Sequence, residues 1–255
     1  MTDTIVRVSR SWSGASWSGA SGRAVAATVV VLGLAAMVGE LPVGAAEQAT
    51  VIPAPTADAS APSGDGLQTI VLAGGCFWGI QAVYQHVEGV HNAVSGYAGG
   101  SVVNPSYEQV SSGRTGHAES VQVTYDPRKV SLGKILQIYF SVAHDPTQLN
   151  RQGPDVGTQY RSAIFYSDDA QKKVAQAYIA QLGGASVFRR PIVTRLDPLA
   201  KFYPAEAYHQ DYALTHPYSP YIVYNDQPKV ENLERLFADI YRQKPVTVAS
   251  AGGKS

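Results

Sequence analysis

Residues 67–87 read LQTIVLAGGCFWGIQAVYQHV and contain the only cysteine of the 255-residue chain, Cys76. The segment LQTIVLAG (67–74) is β-branched and apolar and ends at glycines, which is typical of a buried strand. In the second part, the apolar residues recur at helical intervals: Phe77, Ile80, Val83, Tyr84 and Val87. The stretch therefore predicts a strand, a tight glycine turn and a helix, with Cys76 at or near the helix amino terminus.

Strand and helix patterns alternate along the rest of the chain. Further strand candidates lie at 90–97, 119–125, 161–166 and 192–196, and helix candidates at 131–143, 168–182 and 226–240. This alternation predicts an α/β or α+β sheet with helices packed on it. Long loops remain at 98–118, 144–160 and 197–225, where functional residues are commonly found.

The composition is that of a globular protein, with 45% hydrophobic and 16% charged residues. The formal net charge is zero, so nothing indicates a nucleic-acid partner or a polybasic membrane surface. A single cysteine and six scattered histidines show no zinc-ligand spacing.

The first 46 residues have the layout of a secretory signal peptide: a basic front region, an apolar run at 24–39, and Gly44 and Ala46 as small residues before a cleavage point. A retained anchor helix is the alternative, although the apolar run is shorter than the ~20 residues of a membrane span. We therefore expect export, to a bacterial periplasm, with membrane contact only if the segment stays uncleaved. Residues 47–67 are predicted to be a flexible linker, 68–242 one compact domain and 243–255 a disordered tail.

Export leaves three interpretations of the lone thiol: inert and buried, paired with another chain, or reactive. A helix amino terminus would lower the pKa of Cys76 and favour reactivity. In the strand at 119–125, Glu119 shares the parity of Val121 and Val123 and should point into the apolar side. Burial would then raise its pKa and suit it to act as a general acid; an exposed, solvated Glu119 at the strand start is the alternative.

Polar and aromatic residues in the loops are ambiguous by themselves. Asp155 and Tyr160 lie in a polar stretch that leads into a strand, and Tyr107 lies in NPSYEQV. Each can hydrogen-bond a substrate, or serve only in turns and packing. His117, His144 and His209 receive no catalytic role, because an isolated histidine is more often structural.

Four motifs occur in the order seen in one known family: GGCFWG (74–79), NPSYEQV (104–110), TGHAESVQVTYDP (115–127) and LNRQGPDVGTQYRSAIFY (149–166). Together they resemble peptide methionine sulfoxide reductase A over nearly the whole compact domain. The resemblance implies an α+β two-layer sandwich, in which helices pack on a mixed sheet with a ferredoxin-like core. It also implies reduction of methionine-S-sulfoxide, free or in proteins, without a metal or organic cofactor.

The resemblance also implies residue roles. Cys76 matches the nucleophile and Glu119 the acid that protonates the sulfoxide oxygen. The substrate-binding residues that it implies are Phe77 and Trp78 around the methyl group, Tyr107 and Tyr160 at the oxygen, and Asp155 nearby.

Two positions depart from the family pattern. Many members carry resolving cysteines, one group at the position of Ser111, whereas this chain has none. A sulfenic acid on Cys76 would therefore need an external thiol, such as glutathione, glutaredoxin or a thioredoxin-like protein. Gln81 replaces a glutamate found in many relatives and lies outside the implied chemistry.

Three other functions fit parts of the pattern. A cysteine hydrolase would need a histidine base beside Cys76. A thiol peroxidase would also pass through a sulfenic acid, and a binding domain could recognise oxidised methionine segments without turnover.

Overall fold

The computed structural model describes residues 49–59 and 66–248. The strands in this part of the chain are β1 (Gln68–Ala73), β2 (Val90–Ala98), β3 (Ala118–Tyr125), β4 (Arg151–Gln152), β5 (Asp155–Val156), β6 (Ala163–Tyr166), β7 (Arg195–Pro198) and β8 (Phe202–Pro204). The α-helices are α1 (Phe77–Gln85), α2 (Tyr107–Ser111), α3 (Leu132–Ile138), α4 (Asp169–Gly184), α5 (Tyr212–Thr215) and α6 (Gln227–Leu236).

The main sheet has the strand order β7-β6-β1-β3-β2-β8. Its four central strands pair antiparallel, and in chain order they occupy the spatial order 4-1-3-2 of a ferredoxin-like core. β7 adds to β6 in parallel, which makes the sheet mixed. The predicted α+β fold with a ferredoxin-like core is confirmed. The short β4–β5 hairpin lies outside this sheet.

Helices cover one face of the sheet and bury the main hydrophobic core. α1, α3, α4 and α6 contribute apolar side chains that pack against alternate residues of β1 and β3, such as Leu72 and Val123. The opposite face has a smaller apolar cluster around Val71 and Phe165, covered in part by Phe202. Successive residues of each strand therefore point alternately to the helix-covered face and to the opposite face of the sheet.

Several predicted elements form with altered bounds. The helix expected at 131–143 is α-helical only to Ile138 and continues as a π-helical turn, Tyr139–Ala143. The strand expected at 192–196 forms at Arg195–Pro198, where it pairs with β6. The helix expected at 226–240 ends at Leu236. Short elements such as α2, α5 and β8 escape prediction because three to five residues carry too little periodicity.

Residues 49–59 differ from the flexible linker expected there, because they pack along α3 and α4. The Tyr178 hydroxyl donates to the Pro53 carbonyl at 2.7 Å, and Asp58 accepts the Gly133 backbone N–H at 2.8 Å. Ile52 joins the main core. Part of the tail predicted to be disordered also bonds to the domain, since the Val246 N–H donates to the Gln85 carbonyl of α1 at 3.0 Å.

The predicted signal peptide lies outside the described residues. In the ranges 49–59 and 66–248, no helix has the length and hydropathy that a membrane span needs.

Candidate active site

The turn between β1 and α1 fixes the position of Cys76. Gly75 has φ +93°, a left-handed conformation that a residue with a side chain adopts only at a cost. Cys76 is the N-cap residue of α1, with φ −56° and ψ 127°. The residue is 8% exposed, so the thiol is buried at the start of the helix.

Glu119 meets the same helix start from β3, as the strand parity predicts. Its Oε2 accepts the Phe77 backbone N–H at 3.1 Å, and the residue is 2% exposed. Burial raises the pKa of Glu119 to about 8, and the charge of Asp155 adds to this while the Phe77 N–H opposes it. Glu119 is therefore mostly protonated at pH 7 and can donate a proton.

The Cys76 thiol is neutral in the resting protein. Burial raises its pKa well above the usual value, and the negative charges of Glu119 and Asp226 raise it further when those groups are ionised. The Trp78 backbone N–H dipole, close to the sulfur, acts in the opposite direction. The expectation that the helix terminus lowers this pKa is wrong for the resting state, because desolvation outweighs the field of a nine-residue helix.

Phe77 and Trp78 form an aromatic surface beside the thiol. Their ring centroids are 6.5 Å apart and the planes are tilted by 44°. Phe77 is buried, whereas Trp78 is only partly buried. Of the two rings, that of Trp78 is the one accessible to an apolar group that enters from solvent.

Trp78 is held by residues that the sequence did not indicate. Its indole stacks on Tyr212 at 3.8 Å between centroids, and its Nε1–H donates to His209 Nδ1 at 3.2 Å. Tyr221 meets it edge-on at 5.8 Å and donates its hydroxyl to Asp155 Oδ2. These partners come from the long loop region after β8, where no periodicity marks them; its run of tyrosines was the one available signal.

Tyr107 and Tyr160 both lie close enough to Glu119 for its charge to act on their phenols. Burial raises the pKa of each phenol, and the Glu119 charge contributes to each shift. Both hydroxyls therefore remain protonated at neutral pH and can donate hydrogen bonds. The structure thus brings these two tyrosines, Cys76 and Glu119 into one site, with Asp155 connected through Tyr221.

Glu206 fixes Tyr107 in place, which the sequence did not reveal. Its Oε1 accepts the Tyr107 backbone N–H at 2.9 Å, and its Oε2 accepts the Tyr97 hydroxyl at 2.9 Å. The carboxylate thereby ties the first residue of α2 to β2. The phenol of Tyr107 is consequently anchored through its backbone.

Two of the three histidines in loop-like segments, His117 and His144, have both ring nitrogens hydrogen-bonded to groups other than Cys76. His144 Nε2 contacts Ser162 Oγ at 2.7 Å, and His117 Nδ1 accepts the Gly100 N–H at 3.1 Å. His209 accepts the Trp78 indole N–H on Nδ1, and its buried Nε2 has no hydrogen-bond partner among the described residues. Across the described ranges, no group of three His, Cys, Asp or Glu side chains could hold a metal ion.

The arrangement combines a nucleophile precursor, a neutral carboxylic acid and two phenolic donors beside an aromatic surface. The donors can polarise an oxygen on the substrate, while the rings accommodate an apolar substituent on the same centre. Such a site suits attack by sulfur on a polar, oxygen-bearing atom.

Comparison with known proteins gives one consistent family. The family described as "Peptide methionine sulfoxide reductase" matches residues 68–240. The protein named peptide methionine sulfoxide reductase MsrA 2 from Mesorhizobium japonicum is 60% identical over 186 residues, 73% of this chain and 95% of that protein. The MsrA 2 of Synechocystis is 45% identical over 210 residues, 82% of this chain and 97% of its own length.

Two solved structures share the fold. The reduced form of Mxr1 from Saccharomyces cerevisiae superimposes with a TM-score of 0.55 and 34% identity, covering 63% of this chain and 91% of that one. The methionine sulfoxide reductase A of Corynebacterium diphtheriae gives a TM-score of 0.53 and 34% identity, covering 69% and 91%.

Proposed function

The chain belongs to the peptide methionine sulfoxide reductase family and is an oxidoreductase that reduces methionine sulfoxide; on this premise we propose that Cys76 attacks the sulfoxide sulfur while Glu119 protonates its oxygen. The contact between the Phe77 N–H and Glu119 Oε2 carries this proposal, because it places a neutral carboxyl group at the helix start beside the thiol. The resemblance seen in the sequence is thus confirmed at the level of family.

Activation of the substrate comes first. A sulfoxide is a poor electrophile until its oxygen is protonated or hydrogen-bonded. Glu119 uses Oε2 to accept the Phe77 N–H, which leaves Oε1 to carry the transferable proton. The hydroxyls of Tyr107 and Tyr160 donate to the same oxygen and stabilise the charge that develops on it.

The chemical step balances without a cofactor. Cys76 loses its proton, and its sulfur bonds to the sulfoxide sulfur as Glu119 protonates the oxygen. The sulfur–oxygen bond of the substrate breaks with its electron pair on the oxygen. The released oxygen then attacks the Cys76 sulfur as the sulfur–sulfur bond breaks, so methionine leaves with the electron pair of that bond and Cys76 keeps the hydroxyl as a sulfenic acid. The thiol proton restores Glu119, so Cys76 is oxidised by two electrons and the substrate is reduced by two.

The aromatic surface determines which sulfoxide reacts. Phe77 and Trp78 hold the methyl group on the apolar side, while Glu119 and the two phenols hold the oxygen on the polar side. With both substituents assigned, the rest of the methionine can leave the site in one direction only. The family resemblance implies which epimer this is: the S epimer, free or in proteins, with Asp155 as a further polar residue near the site.

Recycling requires a thiol from outside the chain, because Cys76 is its sole cysteine. One external thiol condenses with the sulfenic acid, releasing water and leaving a mixed disulfide on Cys76. A second thiol breaks that disulfide and regenerates the free Cys76. Glutathione, glutaredoxin and thioredoxin-like proteins all supply such thiols.

The amino-terminal composition supports export and repair of oxidised exported proteins. We place the enzyme in a bacterial periplasm after cleavage near residue 46, from the basic region, the apolar run and the small residues described above. Mass spectrometry of the mature chain from the periplasmic fraction tests this: a mass beginning near residue 47 supports cleavage, and a full-length chain in the membrane fraction contradicts it.

The function is tested by steady-state reduction of both methionine sulfoxide epimers with glutathione, glutaredoxin and thioredoxin as donors. We expect turnover of the S epimer with at least one donor, and none in Cys76→Ser. Activity confined to the R epimer, or appreciable activity in Cys76→Ser, contradicts the proposal.

A further inference from the structure

Two opposite charges are buried next to the helix that carries the nucleophile. The Lys229 Nζ lies 3.3 Å from Asp226 Oδ1, and the side chains are 6% and 0% exposed. Asp226 ends the π-helical turn Ile222–Asp226, and Lys229 lies one turn further on in α6. Because removing two charges from water costs several kcal/mol per ion, such a pair needs a reason beyond stability.

The position of Gly79 shows where the pair acts. A Cβ atom at Gly79 would lie 2.1 Å from Asp226 Oδ1 and 3.0 Å from Lys229 Nζ. Gly79 is the third residue of α1, whose N-cap residue is Cys76. The pair therefore lies directly against the first turn of the catalytic helix, and any side chain at this position would displace it.

A carboxylate beside the first turn of α1 interacts with the same positive helix terminus as a Cys76 thiolate would. The first turn of a helix favours negative charge, and Asp226 already supplies one there. A second negative charge on Cys76 is then less favourable, as it is on Glu119. Lys229 supplies the opposing positive charge, which limits the effect. The other ionisable groups that influence Cys76 or are influenced by it are Glu119, Asp155, Tyr107, Tyr160 and Tyr221.

We propose that Asp226 and Lys229 are positioning residues that set the protonation state of the reacting groups. Asp226 disfavours the ionised forms of Cys76 and Glu119, and Lys229, which carries the opposite charge, reduces this effect. Asp226 thus helps to keep a proton on each of the two groups, and Lys229 limits how strongly it does so. The part concerning Glu119 rests on the proposed function; the part concerning Cys76 does not.

The test is the pH dependence of alkylation of Cys76 by iodoacetamide, in the absence of any sulfoxide. Because the chain has one cysteine, the rate reports this thiolate alone. Asp226→Asn should shift the profile to lower pH and raise the rate at pH 7 on the order of tenfold, which corresponds to about one pKa unit. Lys229→Gln should shift it to higher pH and lower the rate.

The double variant Asp226→Asn, Lys229→Gln should give a profile between those of the two single variants. If Asp226→Asn fails to fold, the double variant must still ionise at lower pH than Lys229→Gln. Thermal unfolding and near-ultraviolet circular dichroism establish which variants are folded. Profiles equal to the parent, or shifts of the same direction in both single variants, overturn the proposal.

Repeating the series in a Glu119→Gln background removes the Glu119 charge from the comparison. The opposite shifts should persist there, and their disappearance also contradicts a direct effect of the pair on Cys76. Since no sulfoxide is present, failure of the proposed reductase mechanism would leave this measurement unchanged.

Discussion

The Phe77 backbone N–H and the Glu119 carboxyl are joined by a 3.1 Å hydrogen bond, which connects β3 to α1 immediately after Cys76. The bond orients Glu119 without ionising it, because burial keeps its pKa at about 8. A neutral acid is thus held in a fixed orientation beside a neutral thiol.

Replacing Glu119 by Gln should lower the rate of sulfoxide reduction at pH 7 by roughly 10²–10⁴-fold, the usual contribution of a general acid. Gln keeps an oxygen for the Phe77 N–H, so the geometry is preserved while the transferable proton is lost. Single-turnover release of methionine measures the effect. A rate within about threefold of the parent would show that Glu119 is not the acid.

The free energy of unfolding should also report the protonation of Glu119. Between about pH 4.5 and about pH 8, this carboxyl is ionised in the unfolded chain but protonated in the folded protein. The folded state then binds more protons, so stability falls as pH rises through this window, by on the order of 5 kcal/mol. Above about pH 8 both states are ionised, and the contribution to the slope ends.

Urea unfolding of the parent and of Glu119→Gln across pH 5 to 9 isolates the contribution of the Glu119 carboxyl to stability, because Gln does not titrate. The stability of the parent relative to the variant should decline with rising pH. A difference that stays constant would show that the folded carboxyl has an ordinary pKa.

We expect Glu206 to matter to catalysis through its hydrogen bond to the Tyr107 backbone N–H. Glu206→Gln replaces one accepting carboxylate oxygen by an NH₂ donor, so the hydrogen bond to either Tyr107 or Tyr97 is lost. The rate of sulfoxide reduction should then fall by about tenfold. Tyr107→Phe removes the phenolic donor directly. In a double-mutant cycle the two losses should be less than additive. Fully additive losses would mean that Glu206 acts by another route.

The segment 49–59 should contribute to stability. Ile52 is 7% exposed and packs in the main core, whereas its neighbour Val51 is 77% exposed. Ile52→Ala should therefore cost about 2–4 kcal/mol in urea unfolding, while Val51→Ala, the matched control, should cost less than about 0.5 kcal/mol. Equal, negligible effects would restore the interpretation of this segment as a free linker.

The sequence predicted the parts of the site that depend on local pattern. The change from strand to helical spacing located Cys76, and strand parity located Glu119 on the buried face. The partners of Trp78, namely Tyr212, Tyr221 and His209, come from a distant segment without periodicity, so only tertiary structure brings them together.

Two further features depended on context that no local pattern contains. The sign of the Cys76 pKa shift is decided by burial, which a helix-terminus argument does not measure. The Asp226–Lys229 pair resembles an ordinary surface pair at i, i+3 in sequence, and only its burial against Gly79 distinguishes it.

The role of Cys76 as nucleophile is tested most directly by one turnover without any added thiol. The reduced enzyme is mixed with excess methionine-S-sulfoxide, and methionine and trapped Cys76 sulfenic acid are counted together. We predict about one methionine and one sulfenic acid per chain, and neither in Cys76→Ser. Release of several methionines per chain, or of methionine without modification of Cys76, would contradict this mechanism.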